Sequence, residues 1–443
     1  MKQTVAIIGA GSSGLAAARH FLTQGFDVHV FEREDDLGGN WHYGKACSRV
    51  YRSTHTISSK PGTEFPDFPM PRDYPDYPHH SQILAYLKSY AEHYKLLDHI
   101  HFSTGVSRVE PLIEDDECDE GNAQTHWTLT FENGEKKEFD LLVIANGHNW
   151  FPKWPEYPGE FFGQRLHSAD YRRPELFTDR RVLVVGGGNS GCDIAVEAAQ
   201  FADRTWHSTR RGYWYMPKYL LGRPADQVGE QMLSLRLPLW LRRIAATFMH
   251  RLLVGKPDKT GLPHPDHRFL ETHPVINTLL PYYVGQSDIT PKPDIERFDG
   301  NTVHFVDGSS IEADLVVFAT GYLIKFPFID KRHLNWHGKN GEKPQLYLHV
   351  FHPVYDTLFV SGLIQADGGQ FGLVHWQMLA AAKFAAAVRD GHAAANVLRQ
   401  QKAGSLPDLS SGIRYKASTR HYLEVEHWNY RRLLQRCVKQ FPD

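Results

Sequence analysis

Short, wholly apolar runs alternate along the chain with stretches in which apolar residues recur at helical spacing, and the alternation occurs in two matching blocks. The first block opens on Val5-Ala6-Ile7-Ile8, an apolar run that predicts a buried strand. It breaks at Gly9-Ala10-Gly11-Ser12-Ser13-Gly14, and Leu15 to Leu22 then carries a helical pattern. Gly25-Phe26-Asp27 turns the chain into a second run, Val28 to Phe31, which ends on Glu32. In the second block, Arg181 to Val185 leads into Gly186-Gly187-Gly188-Asn189-Ser190-Gly191, a helix is predicted over Cys192 to Ala199, and Arg204 to Ser208 reads as the next strand. Strand, helix and strand in this order predict an α/β fold with two Rossmann-like dinucleotide-binding domains, the second inserted in the first. The expected boundaries are residues 1–155 for the first part of the first domain, 156–315 for the inserted domain and 316–443 for the remainder of the first.

The glycine turns carry the chemistry. Gly9 permits the tight turn, Gly11 lets a pyrophosphate approach the backbone, and Gly14 allows close packing of helix on strand. The helix that opens at Ser12 and Ser13 presents unpaired N–H groups to the phosphates. Glu32 can accept hydrogen bonds from a ribose diol and would repel a 2′-phosphate, so the first site suits FAD or NAD. The second site has Gly186, Gly188, Asn189, Ser190 and Gly191 in the equivalent places, but its second strand ends in Ser208-Thr209-Arg210-Arg211 with no acid. A hydroxyl and guanidinium groups there complement a 2′-phosphate. Opposite ribose chemistry implies two cofactors, FAD first and NADPH second, with hydride passing between them across the domain interface.

Other segments read as walls of these sites. Leu37 to Trp41 follows the first block, with Gly38 and Gly39 letting the backbone run close to a ribose or flavin ring, and Asn40 and Trp41 beside it. Arg49 to Tyr77 is rich in Pro, Asp and aromatics, which forbids a long helix and predicts a stiff packed loop of functional length. A helix is expected from Ser81, a strand over His101 to Val106, an antiparallel strand over Trp127 to Phe131, and a solvated acidic hairpin loop over Glu114 to Glu120. Leu141 to Gly147 and Asp314 to Tyr322 look like paired strands, the second expected to carry the chain back into the first domain. Leu358 to Ile364 reads as a further buried strand, the loop after it, with Gln365, could close over a flavin, and a helix follows from Leu373 to Val388. Met232 to Val254 is basic and amphipathic but interrupted by Pro238; it reads as a helical layer over the domain with its arginines snorkelling outward, with a segment lying on a membrane surface as the alternative.

The charge is nearly balanced, 49 basic against 51 acidic residues, which argues against nucleic acid as a partner. The 4 cysteines are scattered without a CxxC pair, a reduced, cytoplasmic pattern that also excludes a dithiol reductase. The 26 histidines do not form a metal-ligand spacing, so no metal site is expected. The first residues begin directly on a core strand, and no apolar run approaches the length of a membrane span, so a membrane partner is not expected. A homodimer is compatible with the sequence, which does not specify the oligomeric state.

Between the two glycine blocks lies Phe161-Phe162-Gly163-Gln164-Arg165-Leu166-His167-Ser168-Ala169-Asp170-Tyr171. Phe161, Gly163, His167 and Tyr171 resemble the identifying pattern F-x-G-x-x-x-H-x-x-x-Y/F of the class B flavoprotein monooxygenases, and in particular of the flavin-containing monooxygenases. Phe318-Ala319-Thr320-Gly321-Tyr322 resembles the family's second signature, and Ser58-Ser59-Lys60 followed by Phe65-Pro66-Asp67-Phe68-Pro69 resembles its aromatic loop. The resemblance implies NADPH reduction of FAD and reaction with molecular oxygen to a C4a-hydroperoxyflavin. A small-molecule amine or thioether would then be oxygenated to an N-oxide, hydroxylamine or sulfoxide. It also implies that the His167 motif links the domains structurally, without a proton-transfer role. Thr56, Val106 and Gln365 join the glycine residues as expected cofactor contacts. The family's stretch normally has Asn where this chain has Ile57, so His55 and Ser58 are expected to share the role of the missing donor. The alternative is a Baeyer–Villiger monooxygenase acting on ketones, from which Tyr171 leans away because those enzymes usually end the pattern in Trp.

Overall fold

A computed structural model describes residues 2–112, 125–234, 238–255, 260–273, 275–336, 343–416 and 421–442. The acidic stretch Glu114 to Glu120 lies outside the described residues.

The apolar runs form two five-stranded parallel sheets. In the first, the order across the sheet is Leu358–Val360, Leu141–Ile144, Thr4–Ile8, Asp27–Phe31 and Ile100–His101. Its strands are apolar on both sides because both faces are covered. Val5, Ile7, Val28 and Val143 pack under the helices Ser12–Thr23 and Phe371–Arg389, while Ala6, Ile8, Leu142 and Ile144 face the antiparallel strands Val106–Leu112, His126–Phe131 and Lys136–Phe139. The helix Phe371–Arg389 is long and apolar enough to cross a membrane, but 78% of that stretch is buried in this core.

The second sheet repeats the design in the order Ile289–Lys292, Arg204–Ser208, Arg181–Val185, Leu315–Phe318 and Gln164–His167. One face packs against the helix Asn189–Phe201, the other against a small antiparallel sheet of Ile295–Asp299, Thr302–Phe305 and Ser310–Glu312. All five of its strands lie in sequence between those of the first sheet. The outgoing and returning chains run side by side, Phe151–Pro152 pairing antiparallel with Tyr322–Leu323.

Three expectations change. Leu315–Phe318 does not carry the chain back to the first sheet; it is the strand beside Arg181–Val185, so a boundary between residues 315 and 316 cuts through it. The crossing follows at Tyr322. His101 to Val106 is not one strand: Ile100–His101 ends at a turn, where Ser103 has φ +51°, and Val106–Leu112 begins a different sheet. The basic segment folds as Ala225–Ser234 and Leu239–Leu253, with Pro238 capping the second helix. Its apolar stripe does not face the domain as expected, although Arg251 is exposed. Trp240, Ile244, Phe248 and Leu252, spaced by four, are 64%, 59%, 68% and 69% exposed, while Arg243 turns inward to pair with Glu271 at 3.2 Å.

Several contacts hold the proline-rich loop, among them a carboxylate of its own, Asp67. Phe65 packs on Tyr90 and Phe371, and Asp67 meets His375 at 3.3 Å and the guanidinium of Arg19. Burial alone would raise the Asp67 carboxyl, but hydrogen bonding and charge from His375, and the charge of Arg19, hold it down at about 2. A carboxyl depressed in the folded state stabilises that state above its unfolded value of about 4, and the contribution is lost as pH falls toward 2. Asp67→Asn is therefore expected to lower stability near neutral pH, with the gap to wild type closing between pH values of about 4 and 2, as followed by urea unfolding across that range. A gap independent of pH would show that Asp67 acts only through its shape.

Candidate active site

The ends of both sheets open on one shared cavity of about 1210 Å³. Gly9, residues 11–13 and residues 186–190 contribute to its walls, as do Glu32, the loop 54–58 and the loop around Gln365.

The two glycine turns have the same construction. Gly9 and Gly186 have φ of +104° and +128°, a region that other residues rarely adopt. Gly14 and Gly191 lie so close to the carbonyls of Gly9 and Gly186 that a Cβ would sit 1.8 and 1.9 Å from those oxygens. The helices that follow start at Ser12 and Asn189, and their caps, Gly11 and Gly188, supply no side-chain hydrogen bond. Both helices therefore direct uncapped N–H groups at the cavity with no acidic residue in the first turn. Gly39 brings its backbone against Gly11, where a Cβ would come 3.1 Å from the Gly11 Cα.

Glu32 is held rather than free. Its carboxylate accepts the N–H of Ala10 at 2.7 Å and that of Glu34 at 3.0 Å, and burial raises its carboxyl from the ordinary value despite these bonds. In the second unit the Ser208 hydroxyl donates to the Pro293 carbonyl at 2.6 Å, which fixes the strand end. Thr209, Arg210 and Arg211 follow it into the cavity wall, and neither arginine has an ion-pair partner among the described residues.

The remaining expected residues also reach the cavity. Trp41 packs edge-on against Phe371, the Asn40 side chain accepts the N–H of Arg49 at 2.8 Å, and Val106 lies near the Glu32 end. Ile57 is 38% exposed into the space, and Thr56 beside it is buried with its hydroxyl unpaired. His55 donates from Nδ1 to the Ser53 carbonyl at 2.9 Å. The Ser58 hydroxyl bonds Thr63 Oγ1 at 2.8 Å, and Thr63 donates onward to the Ser59 carbonyl at 2.8 Å. His55 and Ser58 thus line the wall with these donors already engaged. The Thr56 hydroxyl is left unpaired, as is that of Ser59.

His167 is fully buried in the edge strand, accepts the Ala169 N–H at 3.0 Å, and is pushed down to about 4 by burial. It is a neutral packing residue, away from the cavity lining. Tyr171 of the same motif bonds Glu197, and Tyr51 of the aromatic loop bonds Asp193 at 2.9 Å, so both clamp the helix Asn189–Phe201.

Sequence reasoning missed several cavity residues: His148, Asp193, Thr272, His273 and His421. Asp193 had a usable signal, standing two residues after the last glycine of the second turn. The others come from segments without periodicity.

The buried Thr56 hydroxyl, the paired glycine cradles and the uncapped helix ends fit two dinucleotides, one with a free ribose diol and one with a 2′-phosphate. A sequence profile of the flavin-binding monooxygenase-like family matches residues 2–402. The chain is a flavin-binding monooxygenase. It is 37% identical over 404 residues to the human putative dimethylaniline monooxygenase [N-oxide-forming] 6, covering 86% of this chain and 72% of that one. It is 36% identical over 393 residues to rat flavin-containing monooxygenase 3, covering 83% and 71%. Among solved structures, the S-allyl-L-cysteine S-oxygenase of Allium sativum superposes with a TM-score of 0.66 at 22% identity, covering 99% of this chain and 89% of that one. A steroid monooxygenase bound to NADP superposes at 0.70 with 17% identity, covering 99% and 98%. These two likenesses establish the two-unit fold. The cofactors of this flavin-binding monooxygenase are FAD and NADPH, its oxidant is molecular oxygen, and it acts on small molecules.

Proposed function

We propose that this enzyme oxygenates a soft nucleophilic nitrogen or sulfur atom of a small molecule, giving an N-oxide, hydroxylamine or sulfoxide. The observation that carries the reading is the single cavity shared by both glycine turns, which lets the reactive ends of two dinucleotides meet beside space for a small substrate. The N-oxide-forming and S-oxygenating activities in the names of its relatives support the same chemistry. Bound together there, FAD and NADPH would supply hydride transfer and oxygen activation.

The chain's own residues divide the remaining work. Glu32, Gly9, Gly11, Gly14, Ser12 and Ser13 would hold the FAD adenosine and pyrophosphate; Gly186, Gly188, Asn189, Ser190, Gly191, Thr209, Arg210 and Arg211 would hold NADPH. Gly39, Asn40, Trp41, Thr56, Val106 and Gln365 complete the flavin walls, and Ser208 fixes the strand end behind Thr209. The aromatic loop, anchored by Asp67 and Tyr51, keeps water from the wall around Ile57. Ile57 adds an apolar face there and donates no hydrogen bond.

Ile57→Asn is expected to lower the rate at which NADPH is consumed to hydrogen peroxide without substrate by roughly fivefold, since one added neutral hydrogen bond is worth ~1 kcal/mol. Peroxide and NADPH measured together in the absence of substrate test this; equal leakage in both proteins would remove Ile57 from any role in oxygen chemistry. Product analysis with a thioether, a tertiary amine and a cyclic ketone tests the function itself. Sulfoxide and N-oxide are expected; a lactone with neither would establish the Baeyer–Villiger alternative. We also infer a cytoplasmic location, which Cys47 and Cys437, both outside any disulfide, support.

A further inference from the structure

Thr272 and His273, from the insertion of the NADPH-binding unit, line the cavity with His421 and Leu423 of the C-terminal chain. His273 Nδ1 lies 3.2 and 3.4 Å from the two carboxylate oxygens of Glu424. The Glu424 side chain is wholly buried, whereas His273 keeps 11% exposure. Glu424 is rooted beside the flavin wall: Glu424–Val425 runs parallel to Gln365–Ala366, with Gln365 opposite Glu424. The dyad therefore joins the FAD-side loop to the NADPH-side insertion.

An ionised carboxylate only accepts hydrogen bonds, so Nδ1 carries the proton and neutral His273 has its lone pair on Nε2. Nε2 has no protein partner among the described residues, and the cavity is the space open to this side chain. The charged and titratable groups around the dyad are mainly acidic. Asp367 is buried and interacts with both His273 and Glu424, Glu426 lies beside Asp367, and the phenol of Tyr415 faces these carboxylates, with Arg242 as their cationic neighbour. His421 lines the same cavity.

We propose that His273 is a catalytic general base that deprotonates ammonium substrates, with Glu424 as the residue that positions it. The proposal rests on the nitrogen and sulfur oxygenation reading above. Oxygenation of nitrogen uses its lone pair, and an alkylamine at neutral pH is mostly ammonium, with no pair to offer. A thioether always has one. In the step, the substrate N–H bond breaks and an Nε2–H bond forms; the electron pair stays on nitrogen, and no redox change occurs. The imidazolium, stabilised by Glu424, returns its proton to water after the product leaves.

Three probes of similar size separate the possibilities: N,N-dimethylbenzylamine, a cation at neutral pH; N,N-dimethylaniline, a weak base that is largely uncharged there; and benzyl methyl sulfide. His273→Gln is expected to lower kcat/KM for the benzylamine about a hundredfold relative to the other two at neutral pH. The deficit should vanish at alkaline pH, where the free amine predominates. An equal fall for all three, or none, overturns the proposal. Glu424→Gln is expected to move the acidic limb of the benzylamine profile to lower pH, because the imidazolium loses its charged partner; a structural role alone would leave the limb in place. The wild-type holoenzyme supplies a test without any variant: benzylamine turnover should rise with an imidazole-like titration, and a rise that tracks the free amine overturns the base. Oxygenation of the sulfide and the aniline but never the benzylamine also overturns it. No product from any probe overturns the functional reading beneath it.

Discussion

Gly14→Ala is expected to yield a protein that does not retain FAD. The added methyl carbon would lie 1.8 Å from the Gly9 carbonyl oxygen, a backbone atom that cannot swing aside. The helix Ser12–Thr23 must move outward, and its uncapped N–H groups move with it. Overpacking of this kind costs about 1–3 kcal/mol or more, and here the displacement falls on the atoms that bind pyrophosphate. Gly11→Ala makes the informative comparison. Its Cβ would meet only the Gly39 Cα at 3.8 Å, so the fold accommodates it while the methyl intrudes where the pyrophosphate must approach. Both variants should purify with a flavin-to-protein absorbance ratio well below wild type, and only Gly14→Ala should also lose thermal stability without added cofactor. Full flavin content in Gly14→Ala would mean that the first glycine turn is not the FAD site.

Replacing Arg210 and Arg211 together by alanine is expected to reduce kcat/KM for NADPH about a hundredfold or more, while NADH changes by only a few-fold. Each guanidinium bonded to a phosphate contributes about 1.5–3 kcal/mol, and neither arginine has an ion-pair partner among the described residues. The deciding measurement is the ratio of the two specificity constants under steady-state reduction of the bound flavin. Parallel losses with both nucleotides would show that the arginines act on the shared part of the cofactor. FAD content should remain that of wild type, because the first site uses Glu32 in the corresponding place.

Most of the fold was legible because the residues that build it act locally. Val5 to Ile8 and Val182 to Val185 are apolar on consecutive positions, as strands covered on both faces must be. The glycines mark turns whose sterics exclude any side chain. Where the chain was misread, tertiary contacts outweighed local pattern. Leu315–Phe318 has the same apolar character as Leu141–Ile144, and only pairing with Arg181–Val185 decides which sheet it joins. Trp240, Ile244, Phe248 and Leu252 have a stripe suited to a core, yet they face outward while Arg243 pairs with Glu271.

The candidate site divides in the same way. Both nucleotide grooves can be read from single short segments, since a turn, a helix start and the residue ending the next strand select the cofactor between them. The engaged donors of His55 and Ser58, the free hydroxyl of Thr56 and the His273–Glu424 dyad could not be read so. His273 and Glu424 are 151 residues apart, and hydrogen-bond partners at such separation leave no periodic trace. By itself the sequence determined two glycine turns, their order and the opposite charges that end their second strands, because each depends on backbone sterics and neighbours a few residues away. The tertiary structure alone decided that both turns share one cavity and which side chains reach it, because distant segments meet only when the two sheets and their connections are packed.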